Sequence, residues 1–149
     1  MNKVFVYGTL KKDYWNHYII GKRPSSKFLG EAMTEDRFLM AQAGFPYIFP
    51  DNMVEDKTSK PCLPVFGEVY EVDDDVLRSL DWLEGVEDGH YKREMRSVKI
   101  AGDLLERVFI YIPASLYNFS LLGWVEPINK MDVECYIWEN YDHKEARNV

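Results

Sequence analysis

The residue best placed for chemistry in this sequence is Glu84, a carboxylate on the apolar face of a predicted helix. Four apolar residues of that helix share one side: Val76, Leu77, Leu80 and Leu83. At about 100° per residue, Glu84 lies about 40° from Leu80 on the same side. It also lies at the predicted helix end, where unpaired backbone carbonyls repel negative charge. Burial and these carbonyls both favour the neutral acid, so the sequence predicts a raised pKa and a general acid/base.

A competing interpretation leaves Glu84 solvated beside Gly85, because residues at a helix end are often exposed. Asp81 lies at the edge of the same apolar face and is expected to be a solvated helix residue. The pattern of the helix alone does not decide between a buried and an exposed Glu84.

A second candidate site is the turn at Gly8 and Thr9, which follows a predicted strand over residues 3–7. Glycine has no side chain, so the backbone there can approach a ligand closely and adopt conformations denied to other residues. Consecutive backbone N–H groups in such a loop form an anion-binding concavity. Judged alone, the same pattern is also typical of an ordinary strand end.

The sequence lacks the residue patterns of nucleophilic and metal-dependent enzymes. Cys62 and Cys135 lie far apart, with no CxxC pair and no histidine at ligand spacing. There is no G-x-S-x-G elbow and no cysteine–histidine arrangement, and His90 and His143 belong to no constellation. We therefore expect neither a disulfide nor a metal site.

Composition and charge exclude several classes of protein. The 149 residues, 46% hydrophobic and 29% charged, are enough for one domain with a real core. Eighteen Lys and Arg against 25 Asp and Glu leave a net charge of -7, which disfavours nucleic acid and anionic membranes as partners. No signal-peptide core and no apolar run of about 18 residues is present. We expect a cytoplasmic protein with reduced thiols that acts as a monomer.

The elements that must position these residues form an α+β or mixed α/β pattern with more strand than helix. The predicted strands cover residues 3–7, short pieces at 38–40 and 47–49, and then 65–72, 91–100 and 107–112. The best-defined helix begins after an N-cap at Asp73, runs to Leu83 or Glu84, and ends at Gly85. One or two helical turns are predicted within 14–21, an exposed loop over 51–64, and a polar tail at 142–149.

Several motifs occur here in an order that is typical of one enzyme family. They are VFVYGTLK at 4–11, Asn-His at 16–17, GEVY at 67–70, and then Leu77, Arg78, Leu80, Asp81, Glu84, Tyr91 and Arg93. In this order they resemble the γ-glutamylcyclotransferase superfamily, and within it the γ-glutamylamine cyclotransferase branch, once grouped with the AIG2-like proteins. The match spans about residues 1–112, roughly three quarters of the chain, whereas the tail from about 114 matches only vaguely.

The resemblance implies a fold and a reaction. The fold is α+β, a small mixed β-barrel with flanking short helices, and we expect one such domain over residues 1–149. The implied enzyme needs no cofactor and acts on small γ-glutamyl compounds, releasing 5-oxoproline. In the amine branch the substrates are γ-glutamyl amides of primary amines, such as ε-(γ-glutamyl)lysine. The family's essential glutamate corresponds to Glu84, so the helix pattern and the resemblance indicate the same residue.

The resemblance also implies which residues bind the substrate. They are Tyr7, Gly8, Thr9 and Leu10, whose backbone N–H groups would face the glutamyl carboxylate, with Tyr91 and Tyr111 as candidate pocket residues. A strand tyrosine packed inside the barrel is an equal alternative for each of the last two. His17 follows the family's Asn-His pair or is a surface helix residue, and Glu68 is expected to pair with a lysine or arginine.

In the implied reaction the substrate's own α-amine attacks its γ-carbonyl, so no serine or cysteine nucleophile is needed. Glu84 would deprotonate the α-ammonium group and protonate the departing amine, and backbone N–H groups near Gly8 would stabilise the oxyanion. Two alternatives remain open. One is a cyclotransferase for other γ-glutamyl peptides or glutathione, and the other is a non-catalytic γ-glutamyl-binding module.

Overall fold

The computed structural model describes residues 1–54, 56–101, 104–116 and 119–139. The predicted polar tail at 142–149 and His143 lie outside these residues. In chain order the elements are β1 Asn2–Val6, α1 Tyr18–Gly21, β2 Lys27–Thr34, β3 Phe38–Gln42, β4 Pro46–Pro50, α2 Asp51–Val54, β5 Phe66–Val72, α3 Asp74–Leu83, β6 Tyr91–Ile100, β7 Leu104–Pro113, a 3₁₀ turn Phe119–Leu121, β8 Gly123–Trp124, β9 Ile128–Lys130 and β10 Val133–Cys135. Within the described part of the chain, no helix has the length and apolar character needed to cross a bilayer.

The centre of the fold is a closed five-stranded barrel in the order β1-β5-β2-β6-β7. All its strand pairs are antiparallel except the one that closes it, where β1 runs parallel to β7 and Val4 pairs with Phe109. The long β6–β7 hairpin sets Arg93 opposite Tyr111. The structure thus confirms the small mixed barrel with few, short helices.

Two smaller sheets flank the barrel. Strands β4, β3 and β8 form one sheet in that order, and β9 pairs with β10 in a hairpin. The segment after β10 returns to the barrel, because Tyr136 forms a parallel bridge with Val65 and its N–H donates to the Pro64 carbonyl. The last described residues are therefore part of the packed structure.

The alternation of side chains along β1 divides the core into two clusters. Phe5 and Tyr7 face the barrel interior and the β3–β4 sheet, whereas Val4 and Val6 face outward toward α1 and α3. The apolar stripe of α3 packs on that outer side through Val76, Leu77 and Leu80. This packing fixes α3 against the barrel, with its C-terminal end directed to the same region as the end of β1.

Most predicted elements are confirmed within one or two residues, except that β7 begins at Leu104, three residues before the predicted start. Three further differences have physical reasons. The eight-residue β2 is missed, because most of its residues are partly or fully exposed and it lacks an apolar run. The predicted exposed loop over 51–64 is wrong at both ends. It begins with the helical turn α2, whose Val54 is buried in the core, and near its end Leu63 pairs with Phe38.

Candidate active site

A cleft of about 820 Å³ opens where β1, the β3–β4 turn, the end of α3 and the start of β6 meet. It brings together every site residue that the sequence predicts. The predicted residues that line it are Tyr7, Gly8, Thr9, Leu10, Glu84, Tyr91 and Tyr111. Residues as far apart in the chain as Tyr7 and Tyr111, 104 positions, therefore share one cavity.

Glu84 is held at the wall of this cleft by the way α3 begins and ends. The Asp73 side chain caps the helix by accepting the Val76 N–H at 2.8 Å. At the other end the N–H groups of Gly85 and Val86 donate back to the carbonyls of Trp82 and Asp81, the two hydrogen bonds of a Schellman motif. Gly85 has a φ of 65°, which favours glycine. The chain therefore leaves the helix sharply, immediately after Glu84.

The Glu84 carboxylate is partly buried, and among the described residues no group donates a hydrogen bond to it. Burial raises its pKa to about 7, from an ordinary value of 4.5. The sequence analysis also predicts a raised pKa for Glu84, but it attributes the rise both to burial and to unpaired carbonyls at the helix end. In the structure two carbonyls of the last turn are already hydrogen-bonded in the Schellman motif, and burial is the cause that remains. A carboxyl group with a pKa near neutrality can both accept and return a proton.

Two tyrosines, Tyr7 and Tyr91, lie near Glu84 in the cleft. Burial raises the pKa of Tyr7 and of Tyr91, and the nearby charge of Glu84 raises both further. The Tyr7 hydroxyl donates to the Tyr111 carbonyl at 2.6 Å, across the seam where β1 meets β7. Tyr91 lies parallel to Tyr47, with ring centroids 6.2 Å apart. These phenols stay neutral near pH 7 and give the carboxyl group a surrounding of low polarity.

The expectation that Asp81 is simply solvated is wrong. Its Oδ2 lies 2.6 Å from Nη1 of Arg93, and its Oδ1 accepts a hydrogen bond from the Tyr111 hydroxyl at 2.6 Å. The guanidinium group of Arg93 in turn covers the ring of Phe109. Asp81 therefore ties the last turn of α3 to β6 and β7, three residues before Glu84. The contacts cross from helix to strand, so helical spacing does not reveal them.

The loop after β1 supplies a row of backbone N–H groups. Among the described residues, the N–H groups of Gly8, Thr9 and Leu10 donate no hydrogen bond within the protein, although the carbonyls of all three accept one. The adjacent Asn16 and His17 support the loop from behind: Asn16 Nδ2 donates to Thr9 Oγ1, and His17 Nδ1 lies 2.9 Å from the Leu10 carbonyl. The Asn-His pair thus supports the loop and is not a free surface feature.

Gly8 is needed for a reason that differs in part from the predicted one. Its φ is not in the left-handed region, so no unusual backbone conformation requires glycine. The requirement is space, because a Cβ at this position would lie 2.8 Å from Cγ of Pro46. The close approach that Gly8 permits is to the β3–β4 sheet, which forms the facing side of the cleft.

Two more contacts fix the loop to distant parts of the chain. Glu68 on β5 accepts the Lys12 backbone N–H and the Tyr70 hydroxyl, both at 2.9 Å, so the predicted pairing with a lysine or arginine side chain is wrong. The buried Lys11 donates from Nζ to the Trp138 carbonyl at 2.6 Å. Trp138 is itself fully buried, and its indole Nε1 donates to Gln42 Oε1. The segment after β10 therefore supports the loop, which the sequence does not indicate.

The sequence analysis misses several cleft residues, and for all but one of them nothing in the local pattern indicates a role in the site. They are Trp15, Phe45, Pro46, Tyr47, Trp82, Asp88 and His90. Trp82 is the one with a detectable signal, because a tryptophan beside the candidate acid falls outside the apolar stripe of α3. It is 84% exposed. Within the described ranges, no three His, Cys, Asp or Glu side chains come together in a way that could hold a metal ion.

Comparisons with known proteins point in one direction. A family described as gamma-glutamyl cyclotransferase, AIG2-like, matches residues 4–148. A protein of Methanocaldococcus jannaschii, provisionally named a gamma-glutamylcyclotransferase, is 32% identical over 115 residues, which cover 77% of this chain and 88% of that protein. The gamma-glutamylaminecyclotransferase of Bos taurus is 37% identical over 103 residues, covering 66% of this chain and 57% of the bovine protein. The crystal structure of an AIG2-like protein from Mus musculus has a TM-score of 0.66 at 26% identity, covering 94% of this chain and 98% of that chain.

Proposed function

Because the chain belongs to the gamma-glutamyl cyclotransferase, AIG2-like family, we propose that it is a γ-glutamyl cyclotransferase acting on γ-glutamylamines. Family membership, which confirms the resemblance seen in the motifs, and the names of the relatives support the cyclotransferase activity. The observation that carries the proposal is the placement of Glu84. A carboxyl group with a pKa of about 7 lines the same cleft as three consecutive backbone N–H groups that find no acceptor in the described part of the chain.

The proposed reaction begins with the substrate's glutamyl α-carboxylate bound at the N–H groups of Gly8, Thr9 and Leu10. The ionised Glu84 removes a proton from the α-ammonium group, and the freed amine attacks the γ-carbonyl carbon. A new C–N bond closes the five-membered ring, and the tetrahedral oxyanion is stabilised by an N–H group of the same loop. Protonated Glu84 then gives its proton to the leaving nitrogen, and the bond to that nitrogen breaks. The ionised Glu84 takes the second proton from the ring nitrogen, which becomes the amide nitrogen of 5-oxoproline, and passes it to the released amine. The products are 5-oxoproline and a free amine, and no cofactor is required.

The lining of the cleft favours an amine over an amino acid as the leaving group. The described residues that line it include the acids Glu84 and Asp88 and one histidine, His90, but no lysine or arginine. A leaving amino acid, or the cysteinylglycine of glutathione, carries a carboxylate that would enter this cavity without a cationic partner. A simple amine has no such group, and in ε-(γ-glutamyl)lysine the free α-ammonium group of the same lysine lies beside the carboxylate and balances its charge. This charge distribution supports γ-glutamylamines as the substrate class.

The test compares three substrates and two matched variants. Release of 5-oxoproline is measured with ε-(γ-glutamyl)lysine, a γ-glutamyl amino acid and glutathione, using the parent protein, Glu84→Gln and Glu87→Gln. Glu87 is an exposed acid of the same turn that does not line the cleft, so its variant is the control. We expect the γ-glutamylamine to be the best substrate, and kcat to fall at least about a hundredfold in Glu84→Gln only.

Three outcomes would contradict the proposal in different ways. Retained turnover in Glu84→Gln, with an unchanged circular dichroism spectrum, would remove Glu84 from the mechanism. A higher kcat/KM for glutathione than for ε-(γ-glutamyl)lysine would identify the enzyme as a cyclotransferase for γ-glutamyl peptides. Binding of all three compounds without any 5-oxoproline would identify a non-catalytic γ-glutamyl-binding module.

A further inference from the structure

An exposed tryptophan forms part of the cleft wall at the end of α3. Trp82 lies two residues before Glu84 on the last turn of α3, lines the cleft, and leaves 84% of its surface exposed. The apolar stripe of α3 does not use it, since the buried residues of that helix are Val76, Leu77 and Leu80. Exposed apolar side chains that line a groove together mark a candidate ligand-binding surface.

A second set of aromatic rings lines the cleft from the β3–β4 sheet. Phe45, 43% exposed, contacts Tyr47 with ring centroids 5.2 Å apart, and Tyr47 lies parallel to Tyr91. Tyr91 in turn interacts with the charge of Glu84. This row, Phe45–Tyr47–Tyr91, therefore leads from the exposed edge of the cleft to the proposed acid.

The cleft wall near the end of α3 also contains an acid, Asp88, that has no role in the proposed reaction. Asp88 lies in the turn between α3 and β6, where its backbone N–H donates to the Gly85 carbonyl, and it lines the cleft. Among the described residues its carboxylate forms no ion pair. The mechanism above assigns Asp88 no role. An unpaired carboxylate that lines the same cleft as exposed aromatic side chains provides the two features that bind an organic ammonium group, charge attraction and cation–π contact.

We propose that Trp82, Phe45 and Asp88 form a subsite for the far end of the leaving amine, and that this subsite selects amines with a second ammonium group and no carboxylate. This inference rests on the proposed function, because the order of groups in the substrate places the leaving amine beyond Glu84. With the glutamyl end bound at the loop after β1, the rest of the leaving chain extends along the remaining walls. The substrate class is thus the mono-γ-glutamyl amide of an α,ω-diamine.

Three substrates of equal chain length separate the contributions of charge and chain. They are the γ-glutamyl amides of cadaverine, of pentylamine and of the lysine ε-amine. Cadaverine is lysine without its carboxylate, and pentylamine is cadaverine without its second amine. We expect kcat/KM for 5-oxoproline release to be about three to ten times higher for the cadaverine amide than for the pentylamine amide, with the lysine amide between them.

Two variants test the residues. Asp88→Asn is expected to remove most of the preference for the cadaverine amide while leaving the pentylamine amide unchanged, and Glu87→Gln, the acid next to it outside the cleft, is expected to preserve it. Trp82→Leu keeps an apolar side chain but loses the π face, so kcat/KM should fall about two- to fivefold more for the cadaverine amide than for the pentylamine amide. Both side chains are exposed, so neither variant should change the fold.

The outcomes distinguish this inference from the proposed function. If the parent protein cyclises all three amides equally, or Asp88→Asn leaves their ratio unchanged, the diamine subsite is overturned and the cyclotransferase activity stands. A preference for the pentylamine amide would overturn the subsite as well. If no amide yields 5-oxoproline, the proposed function fails and the subsite fails with it.

Discussion

The two sides of the cleft are held in place by different kinds of contact. The side that carries Glu84 is held mainly by residues close in sequence: the capped helix α3, the Schellman hydrogen bonds, and a return bond from the His90 N–H to the Gly85 carbonyl. The side that carries the loop after β1 is held by Pro46, Glu68 and Trp138, which are 38 to 127 positions from their partners in the loop. The first side is therefore shaped mainly by local contacts, with Asp81 joining it to β6 and β7. The second side adds contacts with distant parts of the chain to the local support from Asn16 and His17.

The largest effect should come from removing the most distant support of the loop. Trp138→Ala deletes a fully buried indole that packs against Tyr14 and Trp15 and donates to Gln42. We expect the free energy of unfolding to fall by about 3–5 kcal/mol, measured by urea denaturation. Any folded protein should show a larger rise in KM than loss of kcat, because the substrate loop loses support while Glu84 keeps its own.

Trp138→Phe is the control, since it retains most of the ring packing and loses the hydrogen bond to Gln42. A Trp138→Ala protein within 1 kcal/mol of the parent, with unchanged KM, would show that the loop does not depend on the segment after β10.

A smaller change at the loop itself sharpens the comparison. In Gly8→Ala the new Cβ would lie 2.8 Å from Pro46, so the loop or the β3–β4 sheet must shift. We expect about 1–3 kcal/mol of destabilisation and a rise in KM of about tenfold. Gly123→Ala is the matched control, because its Cβ would meet its nearest atom at an ordinary 3.6 Å. Equal effects of the two substitutions would contradict a special role for the space at Gly8.

The local side responds to pH. Because the pKa of Glu84 is raised to about 7 in the folded protein, its stabilising contribution is complete below about pH 4.5 and is lost as pH rises through 7. Glu84→Gln does not titrate, so its stability relative to the parent should increase between pH 5 and pH 8. The expected gain is on the order of 2 kcal/mol, reduced by solvent in the cleft. Chemical denaturation at several pH values measures it, and a constant difference would mean that Glu84 is not buried in the folded protein.

The smallest effect is expected at the turn that follows Glu84. Gly85→Ala places a Cβ at a φ of 65° and should cost about 1 kcal/mol in stability. A displaced helix end should lower kcat a few-fold and leave KM nearly unchanged. Gly44→Ala has the same kind of backbone strain, with a φ of 82° and no neighbour near the new Cβ, but lies far from this turn in sequence. A kcat loss shared by both variants would indicate that strain alone, and not the position of Glu84, is responsible.

The same contrast explains what could be predicted from the sequence. Glu84, its helix and the glycine after it are predictable because capping, helical spacing and helix termination depend on neighbouring residues. The barrel strands are predictable from alternation wherever one of their faces is buried. The barrel fold, and the expectation that the loop after β1 and Glu84 form one site, were predictable only from the order of the family motifs. No local pattern indicates which elements pack together.

What the sequence does not reveal are the contacts between elements. Asp81 has the spacing of an edge residue on α3, and only the β6–β7 register brings Arg93 and Tyr111 to it. Lys11 has the sequence context of a surface lysine, yet it is buried against Trp138. Such pairs are determined by the closure of the barrel, and neither partner carries a signal of its own.

The parallel pairing of β1 with β7 has a consequence for how activity arises. The hydroxyl of Tyr7 reaches the Tyr111 carbonyl across this junction, so the cleft is complete only once β7 has paired with β1. A growing polypeptide cannot possess a partial site before the strand ending at Pro113 has left the ribosome. Enzymatic turnover should therefore emerge abruptly and serve as a direct reporter of a completed barrel.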